Sequence, residues 1–182
     1  MKSLDELLKM NENERAEYLY EEAKKFGKRL NLEYEEFIKI NPEYAYLYAL
    51  DVIKGRWLEA ELVIIKDLYH TYLYVMNVIK GRWKEAESII IKNSQTAFEY
   101  AWQIIKGRWT EAEPVIMKDP YYAYRYAVNI IKGRWKEAEE YIVESDWDAY
   151  LYSKNILSRV TDHPEKVHEK FRIPPKWLVK ED

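Results

Sequence analysis

The chain has 182 residues, no cysteine, and 29 basic against 32 acidic side chains, for a formal charge of −3. These values exclude a disulfide framework, a thiolate metal site and a cysteine nucleophile, and the near-balanced charge favours neither a general polyanion binder nor an acidic mimic. No apolar run reaches the roughly 20 residues of a membrane span and the first residues lead into no signal-peptide core, so the expected setting is soluble and cytoplasmic.

Residues 1–14 predict a short amphipathic helical start, with Leu4, Leu7, Leu8 and Met10 at near-helical spacing and Ser3 and Glu6 in capping-box register. Residues 15–40 follow as a degenerate capping repeat. Shifted onto 41–66, they place Tyr18 on Tyr44, Tyr20 on Tyr46, Ala23 on Ala49 and Glu35 on Glu61, with Asn31 in the tryptophan column and a displaced Gly27. Four full repeats then occupy 41–144. The glycines at 55, 81, 107 and 133 set a period of 26 residues without insertions. Residues 145–171 read as a partial repeat and C-terminal cap: a helix start at Asp162-His163-Pro164, with Val167 and Phe171 facing inward. Residues 172–182, through Ile173-Pro174-Pro175, read as an extended tail.

Within a repeat, an aspartate before proline (Asp119-Pro120) starts one helix and the glycine after a lysine (Lys132-Gly133) is expected to stop it. Between them Ala123, Tyr126, Ala127, Ile130 and Ile131 recur at i, i+3, i+4, i+7 and i+8, one apolar stripe at 100° per residue. Small residues at 45, 71, 97, 123 and 149 would let backbones approach. The tyrosine columns at 46, 72, 124 and 150 (Phe98 in the third repeat) and at 48, 74, 100, 126 and 152 are placed on the borders of that stripe, hydroxyl towards water. After the glycine, Trp135, Ala138 and Ile142 share the buried face of a shorter helix. Pro114 predicts a late or bent second helix in the third repeat. The fold expected is all-α: an α-solenoid of tandem two-helix repeats with atypical capping units, whose short helices depend on stacking for stability.

The consensus Tyr-Ala-x-x-Ile-Ile-Lys-Gly-Arg-Trp-x-Glu-Ala-Glu, over roughly residues 41–157, resembles short tandem repeats of uncharacterised tailed-bacteriophage and bacterial proteins. The resemblance implies a family and carries no activity. A phage-encoded chain of this kind would act in the host cytoplasm, as a binder that inhibits or redirects a host complex.

The residues give no catalytic constellation. His70, His163 and His168 lack helical metal-ligand spacing, the glycines are isolated corners rather than a phosphate loop, and identical Glu-Ala-Glu pairs lack the differing environments of an acid and a base. No enzyme activity, cofactor or metal is expected. Two surfaces remain. The first is a protein-binding face of columns that vary between repeats: Leu47, Leu50, Leu73, Met76, Trp102, Arg125 and Leu151, for a protein partner or a second copy of the chain. The second, ranked below it, is a nucleic-acid ridge of Lys54, Arg56, Lys80, Arg82, Lys106, Arg108, Lys132 and Arg134 beside the tryptophans. Against that ridge stands a structural reading, in which lysine covers open helix carbonyls and arginine pairs with a neighbouring repeat's glutamate.

Overall fold

The computed structural model describes residues 1–158 and Phe171, and every regular element among them is helical. The chain divides into two compact units, Met1–Ile90 and Ile91–Asp182. The helix start expected at Asp162-His163-Pro164, the inward Val167 and the tail at 172–182 lie outside the described residues. Phe171 is buried, with its ring 5.3 Å from that of Tyr152.

The N-terminal unit opens with Leu4–Leu8, capped reciprocally by Ser3 and Glu6, and Glu12–Phe26, capped in the same way by Asn11 and Glu14. Each box satisfies two orphan N–H groups at a helix start. Glu12–Phe26 buries Ala16, Leu19, Tyr20 and Ala23, and ends at Gly27 in the left-handed conformation (φ 60°). Leu32–Lys39 follows, with Asn31 as its N-cap. Asn31 thus takes the N-cap place that Trp57 takes before Leu58–Ile64, although the backbone N–H that meets the tyrosine hydroxyl is that of Leu30.

From residue 41 onward the first helix of each repeat has two parts. An asparagine, aspartate or serine cap (Asn41, Asp67, Asn93, Asp119, Ser145) accepts backbone N–H bonds and starts an α-helical stretch: Pro42–Tyr48, Leu68–Tyr74, Ser94–Tyr100, Pro120–Tyr126 or Asp146–Tyr152. Each runs directly into a five-residue π-helical stretch, Ala49–Ile53, Val75–Ile79, Ala101–Ile105, Ala127–Ile131 or Ser153–Leu157. The starts at 49, 75, 101, 127 and 153 repeat the 26-residue step of the sequence. In the wider π turn one carbonyl can accept two donors. Ala49 O takes both the Lys54 N–H and, at 3.2 Å, the Gly55 N–H.

The helix stop differs from the expectation. The left-handed residue is the lysine: Lys54, Lys80, Lys106 and Lys132 have φ of 58°, 52°, 57° and 57°. The following glycines do not occupy that region, and a Cβ built on Gly55 or Gly107 meets nothing within 4 Å. The capping unit shows what the π stretch does to the position of the stop. Glu12–Phe26 contains no π stretch, so its left-handed residue, Gly27, arrives one position before the lysine column would place it. A side chain in the left-handed region costs roughly 1–2 kcal/mol, and β-branching worsens the clash. Lys106→Val should therefore lower stability by about 1 kcal/mol or more, whereas Lys106→Gly should be neutral or raise it by up to about 1 kcal/mol. Urea unfolding of the two variants separates these outcomes, and a tolerated valine would refute the positive φ.

The second helices are short. Leu58–Ile64 and Lys84–Ile90 are regular. In the third repeat the α-helix begins only at Glu113, with Pro114 in its first turn, which is the late start its missing N–H requires. The fourth starts as a 3-10 turn, Lys136–Ala138, before Glu139–Ile142. Trp57, Ala60 and Ile64 are buried together, as are their equivalents Trp83-Ala86-Ile90, Trp109-Ala112-Ile116 and Trp135-Ala138-Ile142. The small-residue column is fully closed: Ala45, Ala97 and Ala123 have no exposed surface, and Thr71 donates its hydroxyl to Ile64 O at 2.9 Å.

Candidate functional site

The repeated Lys-Gly-Arg-Trp stretch is largely committed to an internal network. Tyr74 packs its ring on Trp83 of its own repeat, with centroids 5.6 Å apart, and sends its hydroxyl back to the preceding corner. There the hydroxyl accepts the Trp57 N–H at 2.7 Å and donates to Glu61 Oε1 at 3.1 Å. Arg56 closes the corner with two 2.8 Å bonds to the same carboxylate. Tyr126 repeats the pattern with Trp109, Glu113 and Arg108, and Tyr152 with Trp135, Glu139 and Arg134. In the capping unit Tyr48 accepts from Leu30 N–H and donates to Glu35, which Arg29 holds in a fork. The capping repeat thus keeps the network while losing the tryptophan.

Two expectations are corrected here. Tyr48, Tyr74, Tyr100, Tyr126 and Tyr152 are not border residues with wet hydroxyls; each has 0% of its surface exposed. Burial, followed by the neighbouring carboxylate, raises the hydroxyl pKa of Tyr74, Tyr126 and Tyr152 well above the ordinary tyrosine range, and Tyr48 is raised likewise, chiefly by burial. The arginines do not pair with a neighbouring repeat's glutamate but with the one five residues on in their own, Arg82 with Glu87 included. The other tyrosine column is tied as well. Tyr46 accepts from Asn77 at 2.9 Å, Tyr124 accepts from Asn155 at 2.8 Å, and Tyr20 donates to Asp51 at 2.6 Å. Where Phe98 removes the hydroxyl, Asn129 donates instead to Arg125 O.

The basic ridge therefore splits. The arginines are paired, while Lys54, Lys80, Lys106 and Lys132 are exposed and none takes part in an ion pair among the described residues. The tryptophans of the motif are buried at 2–3% exposure, so Trp57, Trp83, Trp109 and Trp135 offer no stacking face.

Of the variable columns, Leu47, Leu50, Leu73, Met76, Arg125 and Leu151 are half-buried and Trp102 is 41% exposed. The leucines and methionine thus supply less free apolar surface than an open face would. What the structure does bring together is a cluster in the C-terminal unit. The Arg125 guanidinium lies 4.6 Å from the Phe98 ring centre, 5.5 Å from Trp102 and 5.4 Å from Tyr121, and its Nη1 is 3.7 Å from Glu99. Tyr121 is 48% exposed and was not singled out from the sequence, since its column carries no period.

Beside Trp102 opens a groove of about 310 Å³ lined by Trp102, Lys106, Gly107, Asn129, Ile130 and Lys132. Its counterpart in the N-terminal unit, about 150 Å³, is lined by Leu50, Lys54, Gly55, Asn77, Val78 and Lys80, the same columns two repeats earlier. A wider apolar recess of about 660 Å³ lies at Met1, Phe26, Lys28, Arg29, Leu30, Asn31 and Tyr34, where the capping unit has leucine in place of tryptophan. His70 Nδ1 lies 2.7 Å from Asp67, and His163 and His168 are outside the described residues. Among the described residues no group of three or more His, Asp or Glu could hold a metal ion, and no helix is long and apolar enough to cross a membrane. No family model, curated protein or solved structure matches the chain.

Proposed function

We propose that the chain is an α-solenoid of two-helix repeats that acts as a non-enzymatic protein-binding module. The observation that supports this reading is the division of labour between columns. The invariant Arg-Trp-Glu-Tyr set is consumed by internal bonds, whereas the positions that vary between repeats assemble an exposed aromatic and arginine cluster around Trp102, Tyr121 and Arg125. An exposed tryptophan and tyrosine beside a half-buried arginine are the composition of interface hot spots, where a few residues supply most of the binding energy. In keeping with the resemblance of its consensus, the module belongs to a phage and its partner is a protein complex of the host cytoplasm that it blocks or redirects.

Affinity capture from the native host tests the reading. Trp102→Ala with Tyr121→Ala should cost about 2 kcal/mol or more of binding energy and so sharply reduce recovery of the partner, while leaving the unfolding temperature nearly unchanged. Retained recovery with the native fold would remove the cluster from the interface.

A second reading, nucleic-acid binding along the ridge, is supported by the unpaired lysines alone. The arginines carry no free charge to it and the motif tryptophans are closed off.

A further inference from the structure

The groove beside Trp102 combines features that the fold itself does not call for. Lys106 and Lys132 both line it, and both hold the left-handed conformation at φ 57°. Glycine or asparagine would occupy that conformation at lower cost, so backbone geometry alone does not account for a lysine there. Among the described residues neither ammonium has an ion-pair partner, although the arginine two residues after each is paired with a glutamate. The groove also contains Gly107, whose place in the turn would accept a Cβ without contact, so its missing side chain keeps the groove open rather than relieving a clash.

The two grooves differ in charge and in wall. In the N-terminal unit Asp51 stands three residues before Lys54 and adds a negative charge on that side, although its carboxylate is held chiefly by Tyr20 at 2.6 Å and Lys24 at 2.9 Å. In the C-terminal unit the equivalent positions are Gln103 and Asn129, which compensate nothing. Leu50 is replaced by Trp102, a flat and partly exposed ring. The C-terminal groove is thus a pair of uncompensated cations beside an aromatic wall.

Resting on the protein-binding reading, we propose that this groove takes an acidic, extended peptide segment of the partner, with carboxylates on Lys106 and Lys132 and an apolar side chain against Trp102. Two cations on a short, open groove match closely spaced carboxylates. A polynucleotide fits less well. Its column of stacking positions holds Leu50, Met76, Trp102, Val128 and Lys154, a single aromatic, and the chain as a whole is at −3.

The test is fluorescence anisotropy on the full chain at low salt, with three labelled probes: a short glutamate-rich peptide with a central phenylalanine, its lysine-rich counterpart, and an oligothymidylate. The acidic peptide is expected to bind and the basic one not to. Lys106→Gln with Lys132→Gln should weaken the acidic peptide about tenfold or more, and Lys54→Gln with Lys80→Gln by less than about threefold. Lys106→Arg with Lys132→Arg should retain binding, which rules out loss of fold as the cause. Absence of peptide binding, indifference to the glutamine pair, or tighter binding of oligothymidylate than of the peptide would each overturn the proposal. Partner capture separates the two levels. If Trp102→Ala abolishes capture but the glutamine pair does not, the protein-binding reading stands and the acidic segment falls. If neither variant affects capture, both fall.

Discussion

Trp135→Ala is expected to destabilise the C-terminal unit by about 3–5 kcal/mol, the range for removing a large buried aromatic. Trp135 has 2% of its surface exposed and its ring centre lies 5.0 Å from that of Tyr126. Its backbone N–H, which alanine keeps, is held by the Tyr152 hydroxyl, so the loss comes from the ring and the cavity it leaves. Against a total stability of about 5–15 kcal/mol for an ordinary domain, such a loss would bring the unit close to unfolding at 37 °C. Trp102→Ala supplies the internal control, because that ring is 41% exposed and its removal should cost about 1 kcal/mol or less. Denaturant unfolding followed by circular dichroism measures both. Equal losses for the two tryptophans would contradict the assignment of one to the core and the other to the surface.

Raising the pH above about 10 is expected to unfold the chain cooperatively, through the buried tyrosines. The hydroxyls of Tyr48, Tyr74, Tyr126 and Tyr152 are raised above the ordinary tyrosine value, first by burial. In the unfolded chain those hydroxyls ionise near pH 10, while in the folded chain they keep their protons. The folded state therefore binds more protons above that point, and stability falls as pH rises. Below pH 9 the same groups contribute no pH dependence. The four act in one direction, so the slope should be about two protons per molecule unfolded near pH 10 and approach four about a pH unit above it. Tyrosinate absorbance should rise together with loss of helical dichroism rather than ahead of it for these residues. In Tyr74→Phe the slope should fall by about one proton, at the cost of an unsatisfied Trp57 N–H, about 1–3 kcal/mol. An unchanged slope in Tyr74→Phe would show that this hydroxyl titrates normally.

Much of the local structure follows from residues that act within a few positions of themselves. The 26-residue period, the aspartate-proline helix starts, the burial of Trp135 with Ala138 and Ile142, and the late second helix at Pro114 all depend on spacing, on a missing N–H or on an apolar face. Such signals survive without knowledge of neighbours, because a helix that buries a stripe must carry it at helical spacing.

Tertiary structure decided the rest, and it did so wherever two local options had similar energy. A stripe at i, i+3, i+4, i+7 and i+8 is compatible with an α or a π final turn, so the wide turn at Ala127–Ile131 has no separate sequence signature. Intrinsic preference puts glycine in the left-handed position, yet the π turn ends on Lys132, one residue before Gly133, at a cost of roughly 1–2 kcal/mol that tertiary packing must offset. A tyrosine on the edge of a stripe is equally at home in water or in a core. Tyr126 is buried with its hydroxyl satisfied on both sides, accepting the N–H of Trp109, 17 residues before it, and donating a hydrogen bond to Glu113. At the same corner Arg108 pairs with Glu113, whereas Lys106 takes part in no ion pair among the described residues, a division that two neighbouring cations in the sequence do not reveal because both have the same charge and similar reach.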